Sequence, residues 1–134
     1  MNFVSIRVIT AEIQRLVGFY EKIMAVTPRW YTEDFAEVGT ETATLAIASE
    51  RTMQLFAAGA ARPADNHSVI VEFLVEDVDA TFARIAPIIG EPLQAPTTMP
   101  WGNRSLLFRD PDGNLVNFFT PVTEHARARF ARKE

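Results

Sequence analysis

The feature that most constrains the fold is a pattern of strands and helices that occurs twice. In the first half, apolar and other side chains alternate over residues 3–8, which is typical of a strand, and apolar residues at helical spacing follow from Ile13 to Tyr20. In the second half, residues 69–75 alternate in the same way, and a helical pattern begins at Val78. A shift of about 65 residues superimposes the two patterns, so we predict an internal duplication.

Each half adds three further strands, so each is predicted to be a βαβββ unit. Thr10 and Asp77 are expected to cap the two helices, while Pro28 and Gly90 are expected to stop them. The strands are predicted at residues 29–32, 42–48 and 52–56, with connections at 34–39 and 49–51, and then at residues 92–95, 104–109 and 115–120. In this alignment the last strands match Gln54 with Asn117 and Phe56 with Phe119.

We therefore predict an α+β fold in which two tandem βαβββ units form curled mixed sheets around a cavity. The domain spans residues 1–122, with units at 1–58 and 67–122 and a linker at 59–66 that is rich in small residues and turn formers. A half this short cannot bury its sheet alone, so the halves are expected to pack together or against a second chain. Residues 123–134 are expected to form a tail that is helical or frayed, with basic residues Arg127, Arg129, Arg132 and Lys133.

Composition excludes several classes of function. Hydrophobic residues make up 48% of the chain and charged residues 22%, which are ordinary globular values. The net charge of −4 gives no broad basic surface for nucleic acid, and the absence of cysteine excludes disulfides, thiolate metal sites and thiol nucleophiles. The N-terminus has no apolar run of the kind found in signal peptides, and no window reaches membrane-spanning length, so we expect a cytoplasmic protein that binds no membrane.

The segment Asp110-Pro111-Asp112-Gly113-Asn114 lies between the last two predicted strands. Proline presets φ, an aspartate can cap local backbone and glycine tolerates positive φ, so the segment predicts a tight hairpin. Turn chemistry accounts for both carboxylates, and we assign neither a catalytic role.

Three segments, taken together with this plan, resemble the vicinal oxygen chelate superfamily, which includes glyoxalase I, extradiol dioxygenases, and fosfomycin and bleomycin resistance proteins. They are residues 13–22, residues 73–79 and especially Trp101-Gly102-Asn103-Arg104-Ser105-Leu106-Leu107-Phe108-Arg109-Asp110-Pro111-Asp112-Gly113-Asn114. The resemblance extends to about Pro121 and is more specific for the fold than for any one reaction.

The resemblance also implies where a metal would bind. Enzymes of the superfamily typically take one ligand, commonly His or Glu, from the first and the last strand of each unit. In this chain those positions are expected at Ser5 (or Phe3), Gln54, Ile70 and Asn117. None is an imidazole or a carboxylate, and His67 and His125 are interpreted as surface or loop residues. We therefore predict that the protein binds no metal and no other cofactor. In this respect the chain is closest in character to the metal-free, bleomycin-resistance-like members.

Strand alternation predicts one apolar face for the helices and one mixed face for a ligand. A mostly apolar concavity with a few polar groups suits a small molecule, although the same residues could complete a second core. The ligand-binding candidates, on this face and in adjacent aromatic positions, are Arg7, Trp30, Tyr31, Gln54, Phe56, Glu72, Trp101, Arg104, Phe108, Asn117 and Phe119.

Two alternatives remain open within this set. Arg7 and Glu72 are equivalent under the duplication and could form an internal ion pair, whereas Arg7 or Arg104 could instead receive an anionic or carbonyl group of a ligand. Trp101, in a loop between Pro100 and Gly102, could stack on a ligand or pack in a dimer, since bleomycin resistance proteins use aromatic residues in a similar region.

These observations favour a metal-independent binding protein that sequesters or carries a small, partly aromatic molecule, with the resemblance implying a homodimer. No Ser-His-Asp arrangement, phosphate-binding loop or dinucleotide motif is present, and we assign no catalytic residue. One alternative is a divalent-metal-dependent lyase, isomerase or dioxygenase with non-standard ligands. Another is a degenerate member that acts only as an interaction module.

Overall fold

A computed structural model describes residues 1–131, so Arg132 and Lys133 of the predicted basic tail lie outside the described residues. The chain divides into two compact units. The first contains residues 1–66 together with 111–113, and the second contains residues 67–110 and the chain from 114 onward. No helix within the described range combines the length and the apolar character needed to cross a membrane.

The first unit has the predicted βαβββ order. Its elements are β1 (Ser5–Thr10), α1 (Ile13–Met24), β2 (Arg29–Thr32), β3 (Phe35–Gly39), β4 (Thr44–Ser49) and a 3-10 helix at Glu50–Leu55. The sheet order is β1-β4-β3-β2, with β1 parallel to β4 and the other pairs antiparallel. The first sheet is therefore mixed.

The second unit repeats this plan. Its elements are β5 (Ile70–Leu74), α2 (Val78–Ile89), β6 (Gln94–Thr98), β7 (Asn103–Arg109), β8 (Leu115–Pro121) and α3 (Glu124–Phe130). The sheet order is β5-β8-β7-β6, again with the first and last strands of the unit parallel. The α+β class and the two repeated mixed sheets are confirmed, and α3 shows that residues 124–130 of the predicted tail are helical.

The two main helices begin and end differently. The Asp77 side chain accepts hydrogen bonds from the backbone N–H groups of Asp79 and Ala80, and α2 ends at Gly90 with φ 70°, as predicted. Glu12, not Thr10, is the N-cap of α1, and its side chain makes no capping hydrogen bond. The Thr10 hydroxyl instead accepts from the Glu12 backbone N–H at 3.3 Å.

Each helix covers one face of its sheet, here called the helix face. In the first sheet, Ala36, Val38 and Ile47 are fully buried on this face, and the buried positions of α1, such as Leu16 and Tyr20, recur at helical spacing. In the second sheet, the ring of Phe118 contacts those of Phe73 and Phe108 edge to face, at centroid distances of 5.2 and 5.3 Å. The opposite side of each sheet is called the far face.

Two predictions for residues 34–56 are wrong. The predicted connection at 34–39 contains β3, and the predicted strand at 52–56 is a 3-10 helix followed by a loop. The Thr52 hydroxyl donates to the Ser49 carbonyl at 2.8 Å, which closes a turn where the alternating side chains had indicated a strand. Met53 then packs with Ile9 and Ala48 on the far face, not on the helix face.

The predicted hairpin at residues 110–114 is present. The Asp110 carboxylate accepts from the backbone N–H and the side-chain amide of Asn114, at 2.9 and 2.8 Å. Gly113 has φ 85°, which glycine adopts with little strain. The carboxylate of Asp110 is thus used to fix the turn, as turn chemistry predicted.

Candidate functional site

The far face of the first sheet carries a row of four residues, one from each strand. Strand pairing places Arg7 of β1 beside Ala46 of β4, Ala46 beside Glu37 of β3, and Glu37 beside Arg29 of β2. Because residues directly opposite one another share a face, all four belong to the side turned away from α1. The far face therefore presents two guanidinium groups and one carboxylate in register.

Arg7 is held between two aromatic rings. Its guanidinium carbon lies 5.3 Å from the ring centroid of Phe35 and 5.5 Å from that of Phe56. Phe35 belongs to β3, and Phe56 follows the 3-10 helix, so the sheet and the adjoining loop each contribute one ring. Within the first unit the side chain of Arg7 forms neither a hydrogen bond nor an ion pair, so the edge of its guanidinium group can donate to a ligand.

Tyr31 extends this arrangement toward β2. Its ring meets Phe35 edge to face at 5.9 Å, and the guanidinium carbon of Arg29 lies 5.1 Å from the Tyr31 centroid. A hydrogen bond with the Glu37 carboxylate is the main cause that raises the pKa of the Tyr31 phenol, while the positive charge of Arg29 acts in the opposite direction. The Glu37 carboxylate thus favours the neutral form of the Tyr31 phenol.

We call these six residues the arginine–aromatic cluster: Arg7, Arg29, Tyr31, Phe35, Glu37 and Phe56. The sequence predicted three of them, namely Arg7, Tyr31 and Phe56. It missed Phe35 and Glu37 because residues 34–39 were interpreted as a connection. The alternation of Phe35 and Glu37 with the buried Ala36 and Val38 is the signal that could have revealed β3.

The matching row of the second sheet has different chemistry. Glu72 lies beside Asn117, Asn117 beside Leu107, and Leu107 beside Gln94. The Asn117 side-chain amide donates to the Glu72 carboxylate at 2.8 Å. The Oδ1 atom of Asn117 is buried and accepts no hydrogen bond from residues 1–131. The two candidates Glu72 and Asn117 therefore do lie together on the far face.

Phe119 also lies on this far face, but it is covered within its own unit. Only 7% of the residue is exposed, and its ring centroid is 5.2 Å from that of Phe130 in α3. Ala126 of the same helix is buried, so α3 packs against the second unit as part of its core. A ligand in contact with Phe119 would therefore also meet this helix.

Arg104 and Phe108 were assigned to the wrong face. In the pairing of β7 with β8, Phe108 lies opposite Val116, and Leu106 lies opposite Phe118, so these positions belong to the helix face. Phe108 is fully buried, and the Arg104 guanidinium donates to the Asp79 carboxylate of α2 at 2.8 and 3.0 Å. That hydrogen bond raises the pKa of Arg104 and lowers the pKa of Asp79.

Three other candidates belong to neither far-face row. Gln54 is exposed in the 3-10 helix, not on a strand, and lines a depression of about 300 Å³ with residues such as Ile13 and Arg51. Trp30 is paired with Ala36 on the helix side of the sheet, where it borders a shallow pocket of about 360 Å³. Trp101 is in a turn, as predicted, and is 61% exposed.

The strands that would hold a metal in the superfamily can now be identified by their pairing. The last strand of the first unit is β4, so Gln54 is not the counterpart of Asn117. On the paired first and last strands, the far-face positions are Ser5, Arg7, Ile9, Thr44, Ala46 and Ala48 in the first unit, and Ile70, Glu72, Leu74, Leu115, Asn117 and Phe119 in the second.

Neither unit's set fits a divalent cation. The first offers no carboxylate and no imidazole and includes the guanidinium group of Arg7, and the second offers one carboxylate, Glu72, and no imidazole. Within residues 1–131, no three His, Cys, Asp or Glu side chains come together in a way that could hold a metal ion. We therefore derive no reaction step through a metal.

Comparison with known proteins agrees with this architecture. The sequence profile of the Glyoxalase/Bleomycin resistance protein/Dioxygenase superfamily matches residues 2–118. The chain belongs to this superfamily. No curated protein matches it.

Solved structures resemble this superfamily member in fold. A glyoxalase/bleomycin resistance protein/dioxygenase from Nocardioides is 19% identical with a TM-score of 0.74, covering 92% of this chain and 85% of its own. A protein of unknown function from Agrobacterium tumefaciens is 24% identical with a TM-score of 0.77, and the coverages are 90% and 94%. A family enzyme from Burkholderia phytofirmans reaches a TM-score of 0.78 at 13% identity, with coverages of 88% and 97%. At these identities the likeness supports the fold alone.

Proposed function

We propose that this superfamily member binds a small, partly aromatic molecule on the far face of the first sheet without using a metal ion. The observation that carries the proposal is Arg7, stacked between Phe35 and Phe56 with no acceptor for its N–H groups within the first unit. Such an arginine is oriented before a ligand arrives, so binding costs less side-chain entropy.

The chemistry of this arrangement favours an acidic ligand. Cation–π contacts hold the plane of the guanidinium group, while its edge can donate two parallel hydrogen bonds to a carboxylate. The rings of Tyr31 and Phe56, which are 51% and 64% exposed, offer apolar surface for the body of the ligand. A planar acid with an aromatic ring would use both features.

The internal ion pair between Arg7 and Glu72 is the competing interpretation of Arg7. Within its own unit Glu72 accepts a hydrogen bond from Asn117, which stabilises that carboxylate without any arginine. The homodimer and the cytoplasmic location stay predictions.

The proposal can be tested with 4-methoxybenzoate as the probe and its neutral methyl ester as the matched control. We expect saturable binding of the acid by calorimetry, with much weaker binding of the ester. Arg7→Met should weaken binding of the acid by roughly 10- to 100-fold, because a hydrogen bond to a charged group contributes about 1.5–3 kcal/mol. Arg104→Met is the control variant, since that arginine is paired with Asp79 on the helix face and should leave affinity unchanged.

Two further measurements separate the alternatives. Metal content and EDTA treatment test the metal-dependent lyase, isomerase or dioxygenase, which requires a stoichiometric ion and loss of binding on chelation. Glu72→Gln tests the ion pair, which predicts tighter binding of the acid once the competing carboxylate is neutral. Equal affinities of wild type and Arg7→Met for the acid would overturn the proposal.

A further inference from the structure

The carboxylate of Glu37 lies in the same row as Arg7 but is not paired with it. Glu37 and Arg7 both lie opposite Ala46, on the two neighbouring strands, so their Cα atoms are separated by roughly 10 Å, or two strand spacings. Only the methyl group of Ala46 lies between them in the row. Arg7 is turned onto the rings of Phe35 and Phe56, and within the first unit no cation lies within ion-pair distance of Glu37.

Glu37 lies near the Tyr31 phenol and raises the pKa of that group. A carboxylate has about four lone-pair positions, and the Tyr31 hydroxyl can use at most one of them. The remaining positions can accept from a ligand, and the Tyr31 ring is itself fixed by its contacts with Phe35 and Arg29. A carboxylate beside these rings that is still able to accept suits a ligand's hydrogen-bond donor.

The charges of the row restrict what kind of donor can bind. Two arginines flank one glutamate, so the row carries a net positive charge. An ammonium group next to Glu37 would be repelled by Arg29, whereas a hydroxyl or a neutral N–H group would not. A ligand that is anionic overall and carries a neutral donor can interact favourably with both arginines and with Glu37.

We propose that the row Arg7–Ala46–Glu37 selects aromatic carboxylates that carry a hydroxyl or neutral N–H donor at the end opposite the carboxylate. The ligand's carboxylate accepts from Arg7, its ring lies against the exposed aromatic side chains, and its donor group donates to Glu37. Tyr31 acts as a positioning residue for Glu37. This inference rests on the proposed function, since it requires the acid to bind at Arg7.

A matched pair of ligands tests it. 4-Hydroxybenzoate carries the donor, and 4-methoxybenzoate keeps the ring, the carboxylate and the oxygen but cannot donate. Wild type should bind the hydroxy acid roughly tenfold more tightly, since a hydrogen bond to a charged acceptor is the difference between them. Glu37→Met should bring this ratio close to one, Glu37→Gln should leave an intermediate ratio, and Glu33→Gln in the adjacent turn should retain the wild-type ratio.

The role of Tyr31 has its own readout. Tyr31→Phe should lower the ratio of the two affinities, because it removes the phenol that is proposed to orient Glu37 and keeps the aromatic ring. In Glu37→Met the pKa of the Tyr31 phenol should fall toward its ordinary value, which ultraviolet titration can follow. Circular dichroism and thermal unfolding confirm that each variant is folded.

The outcomes distinguish this inference from the proposed function. Binding of both acids that depends on Arg7, at equal affinity in wild type, would overturn the inference and leave the proposed function standing. A tenfold preference that persists in Glu37→Met would also overturn it, because the donor would then be recognised elsewhere. If neither acid binds in an Arg7-dependent way, both proposals fail.

Discussion

The two far faces have the same pattern of strand pairing but carry different side chains. The first row contains Arg7 and Arg29 around Glu37, with side chains that stack on rings and leave hydrogen-bonding groups free. The second row pairs Glu72 with Asn117 and continues with Leu107 and Gln94. Within the first unit the polar side chains of the first row are not bonded to one another, whereas in the second row Asn117 donates to Glu72.

The helix faces, in contrast, are similar in the two units. Both bury apolar side chains against a main helix, and the second adds the Arg104–Asp79 ion pair at the start of α2. The duplicated scaffold thus preserves strand pairing and helix packing, while the residues that could bind a ligand differ between the copies. In such a fold, function depends on the particular residues of a site and not on the architecture.

The largest expected effect tests which face of β7 is the core. Phe108→Ala should lower the free energy of unfolding by about 3–5 kcal/mol, because it removes a fully buried ring on the helix face. Leu107→Ala, at the adjacent half-buried far-face position, should cost clearly less. Denaturant unfolding of the two variants checks this. Similar losses, or a loss of ligand binding specific to Phe108→Ala, would contradict the face assignment.

The wrong face assignment for β7 shows which information the sequence pattern does not contain. Alternation sorts the residues of one strand into two sets. It does not say which set lies on the same face as the core residues of the neighbouring strand. The pairing of Phe108 with Val116 decides that, and a shift of one residue would reverse every side chain. Arg104 and Phe108 were misplaced for this reason.

Elements with strong local signals were predicted best. The cap at Asp77, the end of α2 at Gly90 and the hairpin at Asp110 each depend on one residue type with a specific backbone preference. The segment from 34 to 56 lacked such signals, since β3 is short and the alternation over 52–56 resembles a strand. As a result, Phe35 and Glu37 of the arginine–aromatic cluster were not predicted, whereas Arg29 was placed in the correct strand but not recognised as a site residue.

The second expected effect concerns a turn that differs between the units. Gly102 precedes β7 with φ 95°, and a Cβ there would lie 2.1 Å from the Thr123 hydroxyl oxygen and 3.0 Å from the Ala126 Cβ at the start of α3. Gly102→Ala should therefore destabilise the protein by about 1–3 kcal/mol, through backbone strain and displacement of α3. Gly59→Ala is the control, because Gly59 also has positive φ but has open space around its Cα. Equal losses would mean that α3 does not constrain Gly102.

The third effect compares the starts of the two main helices. Asp77→Ala removes two hydrogen bonds to the first turn of α2 and should cost about 1 kcal/mol. Glu12→Ala should cost little, because the Glu12 side chain makes no capping bond and pairs only with the exposed Arg15. Thermal unfolding of both variants gives the comparison. A larger loss for Glu12→Ala would show that α1 depends on its N-cap in a way the geometry does not reveal.

The smallest expected effect is on the pH dependence of stability, and it distinguishes Arg104 from Arg7. Hydrogen bonding from Arg104 lowers the pKa of Asp79 below its ordinary value in the unfolded chain. A carboxyl group of this kind contributes stability above its unfolded pKa, near 4, and loses that contribution as the pH falls through the folded pKa. Asp79→Asn should therefore be slightly less stable than wild type at pH 7, and the difference should shrink as the pH falls below about 4.

Arg104→Met should give the same pH dependence as Asp79→Asn, since either variant removes the pair, and the double variant should add little. Arg7→Met should leave the pH dependence between 7 and 3 unchanged if Arg7 pairs with no carboxylate. If Arg7→Met instead lost less stability than wild type between pH 7 and 3, Arg7 would be shown to stabilise a carboxylate in the folded protein. That result would favour the internal ion pair with Glu72 over a free anion receptor, so the pH dependence of this variant tests the proposed site without any ligand.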